Sequence, residues 1–255
     1  MNVYRFSKDF VNLIFREFMA PLYIVNPIQR LIKDIISDWK KFLNESDDYK
    51  KQFYFPRDRG WISKNNKKVQ FFYFHRDYLT RLEAASIDYS KYKTLIINLE
   101  NLYQFCIEAS LDVADLLDKR LTGRGIKAMI KQCNAKNTSK HALVLSYYAK
   151  NQDQLLSTPR YQRSALTFCL YQNSPGLYLG TTIDNRYDKK KNKILLMCGA
   201  KLERLVPGSL NMMRSAFFPE KPIEHFFIDF SAQSLSPEKI VAEYIKEKER
   251  QQGFT

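Results

Sequence analysis

Three histidines are the residues of this chain whose side chains most readily bind a metal ion or transfer a proton. His75, His141 and His225 stand far apart in the sequence. A metal site would form only if folding brought their rings together. The interpretation that the sequence favours is that each histidine is a partly buried or surface residue with a hydrogen bond.

Four cysteines are the candidate nucleophiles, and they are scattered at Cys106, Cys133, Cys169 and Cys198. No C-x-x-C pair occurs, and the last two lie inside apolar segments with the pattern of strands. This arrangement predicts reduced, mostly buried thiols rather than a disulfide framework. The chain also lacks the G-x-S-x-G motif of hydrolases.

The charge of the chain is strongly positive. Its 255 residues include 41 Lys and Arg against 27 Asp and Glu, which gives a formal net charge of +14. Such a field attracts nucleic acid, an anionic membrane surface or an acidic protein partner. The basic residues are spread over several clusters without a zinc-finger or helix-turn-helix pattern. We therefore interpret most of them as a solvated surface, and a nucleic-acid or membrane-surface binding protein is the weaker alternative.

The composition is that of a folded domain, because 45% of the residues are apolar. We expect a single domain over residues 1–255, without a transmembrane segment, since no run of about 18 apolar residues occurs. The N-terminus lacks the apolar stretch of a secretory signal. These features predict a cytoplasmic protein, the alternative being a bacterial protein secreted without a classical signal peptide.

Residues 1–136 are predicted to be mainly helical. Apolar residues recur at every third or fourth position, which gives each helix one buried face. Asn26 and Pro27 have the types of an N-cap and a first helical residue. Helices are predicted at 8–19, 28–43, 91–122 and 126–133.

Residues 52–80 are rich in aromatic and basic side chains, and two interpretations stay open. Aromatic rings mixed with Lys and Arg could stack nucleic-acid bases. The favoured alternative is a β-excursion on the flank of the domain, with residues 64–68 as its turn, because the aromatics come in strand-like runs.

From residue 137 the apolar pattern changes to period two, which indicates strands. The jelly-roll strands are predicted within 137–231, and a C-terminal helix over 236–250 follows them. Individual strands are predicted at 141–149, 164–172, 176–183, 193–198, 202–206 and 223–231. Helices followed by antiparallel strands indicate the α+β class, with N-terminal helices packed on a jelly-roll core.

Several segments resemble, in order, those of a known enzyme family. "YIVNPIQRLIKDIISDWKKFL" is similar to its strand, turn and helix, and "ALVLSYY" to its entry strand. "SALTFCLYQNSPGLYL" resembles its hairpin, and "ILLMCGAKLERLVPG" its Gly-Asp segment. On these segments the chain resembles the isopenicillin N synthase-like iron(II)/2-oxoglutarate-dependent oxygenases. The resemblance implies a double-stranded β-helix from about Leu22 to Phe230.

The same resemblance implies where the iron ligands of the family would lie. Its His-x-Asp pair falls on Arg160 and Gln162, and its distal histidine falls on Ser215. An arginine is a permanent cation that does not bind metal, and glutamine and serine are weak neutral donors. The chain therefore resembles a degenerate member of the family that lacks the metal-binding triad, and we expect no metal and no cofactor.

The positions that bind the keto acid are altered as well. The family's Arg-x-Ser clamp falls on Glu224 and Phe226, and a glutamate would repel a carboxylate. Of the family's Asn-x-Tyr only Tyr148 remains, with Ser146 at the Asn position. These differences predict no catalytic residues of the oxygenase type.

The resemblance and its losses together predict a pseudoenzyme whose former cavity, or basic surface, binds a partner or an anionic ligand. Arg160 would attract a small anion or an acidic protein group there, or it would fill the vacant cavity and pair with a nearby acid. An active oxygenase or another enzyme with a rebuilt site is the alternative. The candidate ligand pocket is formed by Tyr148, Arg160, Gln162 and Ser215.

Overall fold

The structure, a computed structural model, describes most of the chain. The described residues are 22–57, 59–64, 68–120, 125–135, 141–149, 157–173, 177–180, 186–187, 193–205, 214–217, 224–233 and 238–251. The helix predicted at 8–19 lies outside these residues.

Most of the described helices precede the strands of the barrel. They are α1 (Gln29–Leu43), α2 (Asp47–Lys51), α3 (Tyr78–Ala84), α4 (Lys93–Arg120), α5 (Ile126–Ala135), α6 (Ala200–Leu205) and α7 (Glu238–Gln251). The helices predicted at 28–43, 91–122, 126–133 and 236–250 are therefore confirmed, with ends that differ by a few residues. Within the described part of the chain, none of the helices has the length and apolar character needed to cross a membrane.

The start of α1 differs in detail from the prediction. The Asn26 side chain accepts a hydrogen bond from the backbone N–H of Ile28 at 3.0 Å, and the helix begins at Gln29. Pro27 thus precedes the helix instead of forming its first turn. The asparagine shapes the turn that leads the chain into the helix.

The strands form two antiparallel sheets. Their bounds are β1 (Leu22–Val25), β2 (Tyr54–Phe55), β3 (Arg59–Lys64), β4 (Val69–Phe74), β5 (Ala142–Tyr148), β6 (Ser157–Tyr161), β7 (Leu166–Gln172), β8 (Leu177–Gly180), β9 (Arg186–Tyr187), β10 (Lys193–Cys198), β11 (Arg214–Phe217) and β12 (His225–Ala232). The larger sheet has the order β1-β10-β7-β12-β5-β4-β3-β2, and the smaller has the order β6-β11-β8-β9. The predicted α+β class, with helices before a jelly roll of double-stranded β-helix type, is confirmed.

The β-excursion predicted within 52–80 is also confirmed. Strands β2, β3 and β4 extend the larger sheet beyond β5 through antiparallel pairs. Residues 65–68 separate β3 from β4, close to the predicted turn.

The strand predicted at 202–206 is wrong, because residues 200–205 form the short helix α6. An apolar run this short fits either a strand or a helix by its spacing. The backbone decides the outcome. The N–H groups of Leu202 and Glu203 both bond to the carbonyl of Gly199, at 3.0 and 3.1 Å, which winds the chain into a helical turn.

One face of the larger sheet packs against the helices. Trp39 and Phe42 of α1, Phe72 of β4 and Phe230 of β12 are buried in one apolar cluster with residues of α4. The rings of Trp39 and Phe42 are stacked with centroids 5.5 Å apart, and Phe72 meets Trp39 edge-on at 5.8 Å. This cluster fastens the helices to the sheet.

The opposite face of the larger sheet carries the alternate residues of its strands, and we call it the inner face. In a double-stranded β-helix it is the face that turns toward the second sheet. On β12, Phe226, Ile228 and Phe230 belong to the cluster on the helix side, so the residues between them belong to the inner face. Along the two central strands the inner face consists of Ala142, Val144, Ser146 and Tyr148 of β5 and His225, Phe227, Asp229 and Ser231 of β12.

We predict that Trp39→Ala lowers the free energy of unfolding by about 3–5 kcal/mol, because a side chain with 0% exposure leaves a cavity in the cluster. Urea unfolding measures the change. Lys33→Ala, an exposed position of the same helix, is the control and should change stability by less than about 0.5 kcal/mol. A loss below about 1 kcal/mol for the Trp39 variant would contradict a framework role for α1.

Candidate functional site

Two of the predicted ligand positions lie next to each other in the smaller sheet. Strands β6 and β11 are antiparallel, and Arg160 is directly opposite Ser215 in their register. Opposite positions on neighbouring antiparallel strands share one face of a sheet, with Cβ atoms about 5 Å apart. The resemblance assigned these two positions from separate segments, one before the hairpin and one far beyond it. In the structure the two residues are neighbours.

Gln162 follows β6 and is held through its backbone. Its carbonyl accepts a hydrogen bond from the N–H of Ala200 at 2.8 Å, and the carbonyl of Ser164 accepts one from Lys201 at 3.2 Å. Gly199 packs closely against the same loop, so that a Cβ atom on it would lie 2.2 Å from the carbonyl oxygen of Ser164. Glycine is therefore required where β10 passes into α6, and the contact positions the loop that carries Gln162.

The residue types at these positions do not fit an iron(II) site. An arginine is always protonated and has no free lone pair, and neutral amide and hydroxyl oxygens are weak ligands compared with imidazole and carboxylate. Among the residues that the structure describes, no group of three or more His, Cys, Asp or Glu side chains could hold a metal ion.

Tyr148 lies in the other sheet, within an aromatic cluster. It is 8% exposed on the inner face of β5. Its ring meets Phe71 of β4 edge-on at 6.0 Å and Phe227 of β12 edge-on at 5.8 Å. The rings of Phe227 and His225 are parallel within 4°, with centroids 6.2 Å apart. We call Phe71, Tyr148, His225 and Phe227 the inner aromatic cluster.

Phe226, one of the positions assigned to the Arg-x-Ser clamp, does not lie on the inner face. Phe226 belongs to the apolar cluster on the helix side of the sheet. Glu224 is exposed before β12, where its carboxylate accepts a hydrogen bond from the Tyr147 hydroxyl at 2.9 Å. A clamp must face the inside of the barrel, and the inner-face residues here are His225 and Phe227. An error of one residue in the alignment reverses the face of a strand.

One carboxylate and one thiol meet further along the inner face. Cys169 of β7 lies opposite Asp229 of β12. Burial raises the pKa of the Cys169 thiol, and the neighbouring Asp229 raises it further. Burial raises the pKa of Cys198 to about 12. Both thiols are therefore protonated near neutral pH, which makes them poor nucleophiles. All four cysteines are free, as the sequence predicted.

Comparison by sequence finds no relative, because no family model matches the chain and no curated protein matches it. Comparison by structure finds many. A protein of Shewanella oneidensis, provisionally described as an oxygenase, has 16% sequence identity and a TM-score of 0.71, and the match covers 99% of this chain and 98% of that one.

Two further solved structures give the same result. A protein of Caulobacter crescentus, provisionally assigned to the 2OG-Fe(II) oxygenases, has 17% identity and a TM-score of 0.69 over 90% of this chain and 84% of that one. The dioxygenase for auxin oxidation 1 of Arabidopsis thaliana, solved as a complex with 2-oxoglutarate, has 10% identity and a TM-score of 0.67 over 92% and 91%. The chain has the fold of the 2-oxoglutarate/iron(II) oxygenases.

The oxygenase fold is thus present at very low sequence identity, as the segment-by-segment resemblance predicted. Identity this low carries the fold alone, so the chemistry must be argued from the residues present. Sequence reasoning missed His225, Phe227 and Asp229 as residues of the barrel interior. In "HFFIDFSA" both faces carry a phenylalanine, so the aromatic residues alone do not mark the faces, although His225, Asp229 and Ser231 alternate with the apolar set.

The histidines do not form a metal site in this oxygenase fold. A His-x-Asp sequence occurs at His75 and Asp77, but both side chains have structural partners. The Nδ1 atom of His75 donates to the carbonyl of His141 at 2.8 Å. The Asp77 carboxylate accepts hydrogen bonds from Arg59 at 3.3 Å and from Arg81 at 2.6 Å. These groups hold β3, α3 and the start of β5 together.

His141 is fully buried, more deeply than the sequence predicted, and it is neutral. Its Nε2 atom donates to the carbonyl of Ile130 at 3.3 Å, and its Nδ1 atom accepts the N–H of Gln233 at 2.8 Å. Burial lowers the pKa of His141 to about 4, and the charge of Lys201 and the nearby His75 add to the decrease. Both ring nitrogens thus have structural partners.

We predict that His141 makes the protein less stable in acid. The unfolded chain binds a proton at this site below a pKa of about 6.5, whereas the folded chain does so only near pH 4, so stability falls as the pH falls between these values. The loss at pH 4.5, relative to pH 7, should be about 2–3 kcal/mol larger in the wild type than in His141→Gln. A glutamine can keep both hydrogen bonds and does not titrate. Urea unfolding at the two pH values measures the difference, and equal losses in the two proteins would contradict the assignment.

Proposed function

We propose that this protein is a non-catalytic form of the oxygenase fold that uses the place of the iron site to bind an anionic ligand or an acidic group of a partner. Arg160 is the residue that carries this binding. Gln162, Ser215 and Tyr148 belong to the proposed pocket as polar groups.

The observation that carries the proposal is the register of β6 and β11, which puts Arg160 opposite Ser215. In the resemblance these are the positions of two metal-binding histidines. A dipositive ion and an arginine share one property, a positive charge that attracts carboxylate or phosphate oxygens. Exchange of the ion for a guanidinium removes the redox chemistry and keeps the affinity for anions.

The charge of the whole chain supports the same conclusion. A formal net charge of +14 raises the local concentration of anions near any cleft of the molecule. The electrostatic field of the net charge does not distinguish one anion from another. The selectivity therefore comes from Arg160 and the neutral donors of the proposed pocket. Donors of this kind offer hydrogen bonds to oxygen atoms without repelling negative charge.

We predict that the protein binds no stoichiometric iron(II), because arginine, glutamine and serine do not supply a ligand set. The test is to load the protein with iron(II) under nitrogen, dialyse it, and measure the metal by elemental analysis. One tight equivalent of iron that is lost on substitution of a histidine would overturn the proposal. It would favour instead an enzyme with a rebuilt site.

We predict that inorganic phosphate raises the melting temperature of the wild type through binding at Arg160. The expected stabilisation is about RT ln(1 + [L]/Kd), and it should shrink in high salt. Arg160→Gln should remove the response and leave the protein folded. Arg163→Gln, which changes an exposed arginine three residues away, is the matched control and should keep the response.

A different result would assign Arg160 a structural role. If it pairs with a buried acid, Arg160→Gln should lower stability by several kcal/mol, since the acid would lose its partner, and phosphate should have no effect. Asp229 is a carboxylate of the described inner face, so the double variant Arg160→Gln/Asp229→Asn tests such a pair. A stability loss that the second substitution reverses would contradict the anion site.

A further inference from the structure

The inner aromatic cluster lies where a bound 2-oxoglutarate would have to be held. Its four rings come from three neighbouring strands, with Phe71 on β4, Tyr148 on β5, and His225 and Phe227 on β12. Phe71 and Phe227 both lie opposite Ser146, on the two sides of β5. Edge-on and parallel contacts join the rings into a continuous layer.

The cluster is packed rather than open. Tyr148, His225 and Phe227 are 8%, 1% and 3% exposed, and Phe71 is half-buried at the margin. Ring centroids about 6 Å apart, in edge-on or parallel arrangements, are typical of favourable aromatic packing in protein cores. The rings therefore fill the part of the inner face on which they lie.

The charges of this region are unfavourable for a dicarboxylate. A carboxylate that leaves water for a buried site needs a cation or several strong donors. Neither β5 nor β12 contains an arginine or a lysine. The described acid of this face is Asp229, and Glu224 stands exposed before the first residue of β12.

The histidine in the cluster does not replace the missing cation. Burial lowers the pKa of His225, so its ring is neutral near pH 7. Among the described inner-face positions of β7 and β10, Lys193 is the cationic residue. It is half-buried at the first position of β10, which lies two strands away from β12.

We infer that the inner aromatic cluster is packed as part of the core of the barrel and that this part of the inner face does not bind 2-oxoglutarate, because packed rings stand where a carboxylate clamp would have to be. Of the residues of the proposed anion pocket, the aromatic cluster contains Tyr148 alone and none of Arg160, Gln162 and Ser215. Variants of Arg160 therefore test the anion site, and variants of Phe227 test the packing of the cluster.

The binding test uses Arg160→Gln as the host, so that an anion bound at Arg160 does not interfere. Titration calorimetry and ligand-observed NMR with 2-oxoglutarate, with and without Mn²⁺, should show no saturable binding. Binding in the wild type that disappears in Arg160→Gln agrees with the inference, since it belongs to the anion site. A Kd below about 1 mM in the host that is weakened by Tyr148→Phe or Lys193→Gln would overturn it.

A second readout tests the packing directly. Phe227→Ala should lower the melting temperature by about 10 °C, because it opens a cavity in the cluster, whereas Phe227→Leu should keep more than half of that stability. In an open binding pocket, removal of the ring would cost little. An unchanged melting temperature in Phe227→Ala would thus overturn the inference even if no ligand bound.

Discussion

Strand β12 is hydrogen-bonded on both sides, to β5 and to β7, and this double pairing is the constraint on which the rest of the barrel depends. It holds Phe226, Ile228 and Phe230 against the helices. It also fixes which side chains line the interior. A slip of one residue would bury the polar set under the helices and turn the large apolar set inward. The packing of the helix-side cluster around Trp39 and Phe230 therefore determines which side chains of β12 lie on the opposite, inner face.

The proposed non-catalytic character of the barrel rests on residues at two separate places. In the smaller sheet the paired positions 160 and 215 hold an arginine and a serine. In the larger sheet a layer of rings fills the inner face of β5 and β12. The two sets of residues share no side chain. The proposed loss of the metal would not by itself require a packed layer of rings in the other sheet, so the two places support the proposal through different residues.

Much of the fold could be predicted from the sequence, because long amphipathic helices and alternating strands leave strong periodic signals. The helix at 91–122 and the strands at 141–149 and 223–231 are examples. Short elements could not be predicted. Strands β6 and β11 have few apolar residues, and the apolar residues of 202–206 fit a helix as well as a strand.

The candidate site was predictable in part for a similar reason. Position 160 is predicted as a site position because it lies a fixed distance before an apolar hairpin, and the register of β6 and β11 places it opposite Ser215. The faces of β12 could not be assigned, since "HFFIDF" places aromatic residues on both sides, and only their contacts with Trp39 and α4 or with Tyr148 distinguish the sides.

The junction at Gly199 has a consequence for how such a barrel changes over time. The bonds that hold the loop at Gln162 join backbone atoms of Ala165, Gln162 and Ser164 to those of Gly199, Ala200 and Lys201. Backbone bonds of this kind are indifferent to the side chains that the loop carries. The path of the loop therefore does not depend on its side chains, so that residues 160 and 162 can be exchanged while the loop keeps its course. Side-chain substitutions at 160 and 162 are thus compatible with this backbone path, whereas a side chain at position 199 is not, because it would collide with the Ser164 carbonyl.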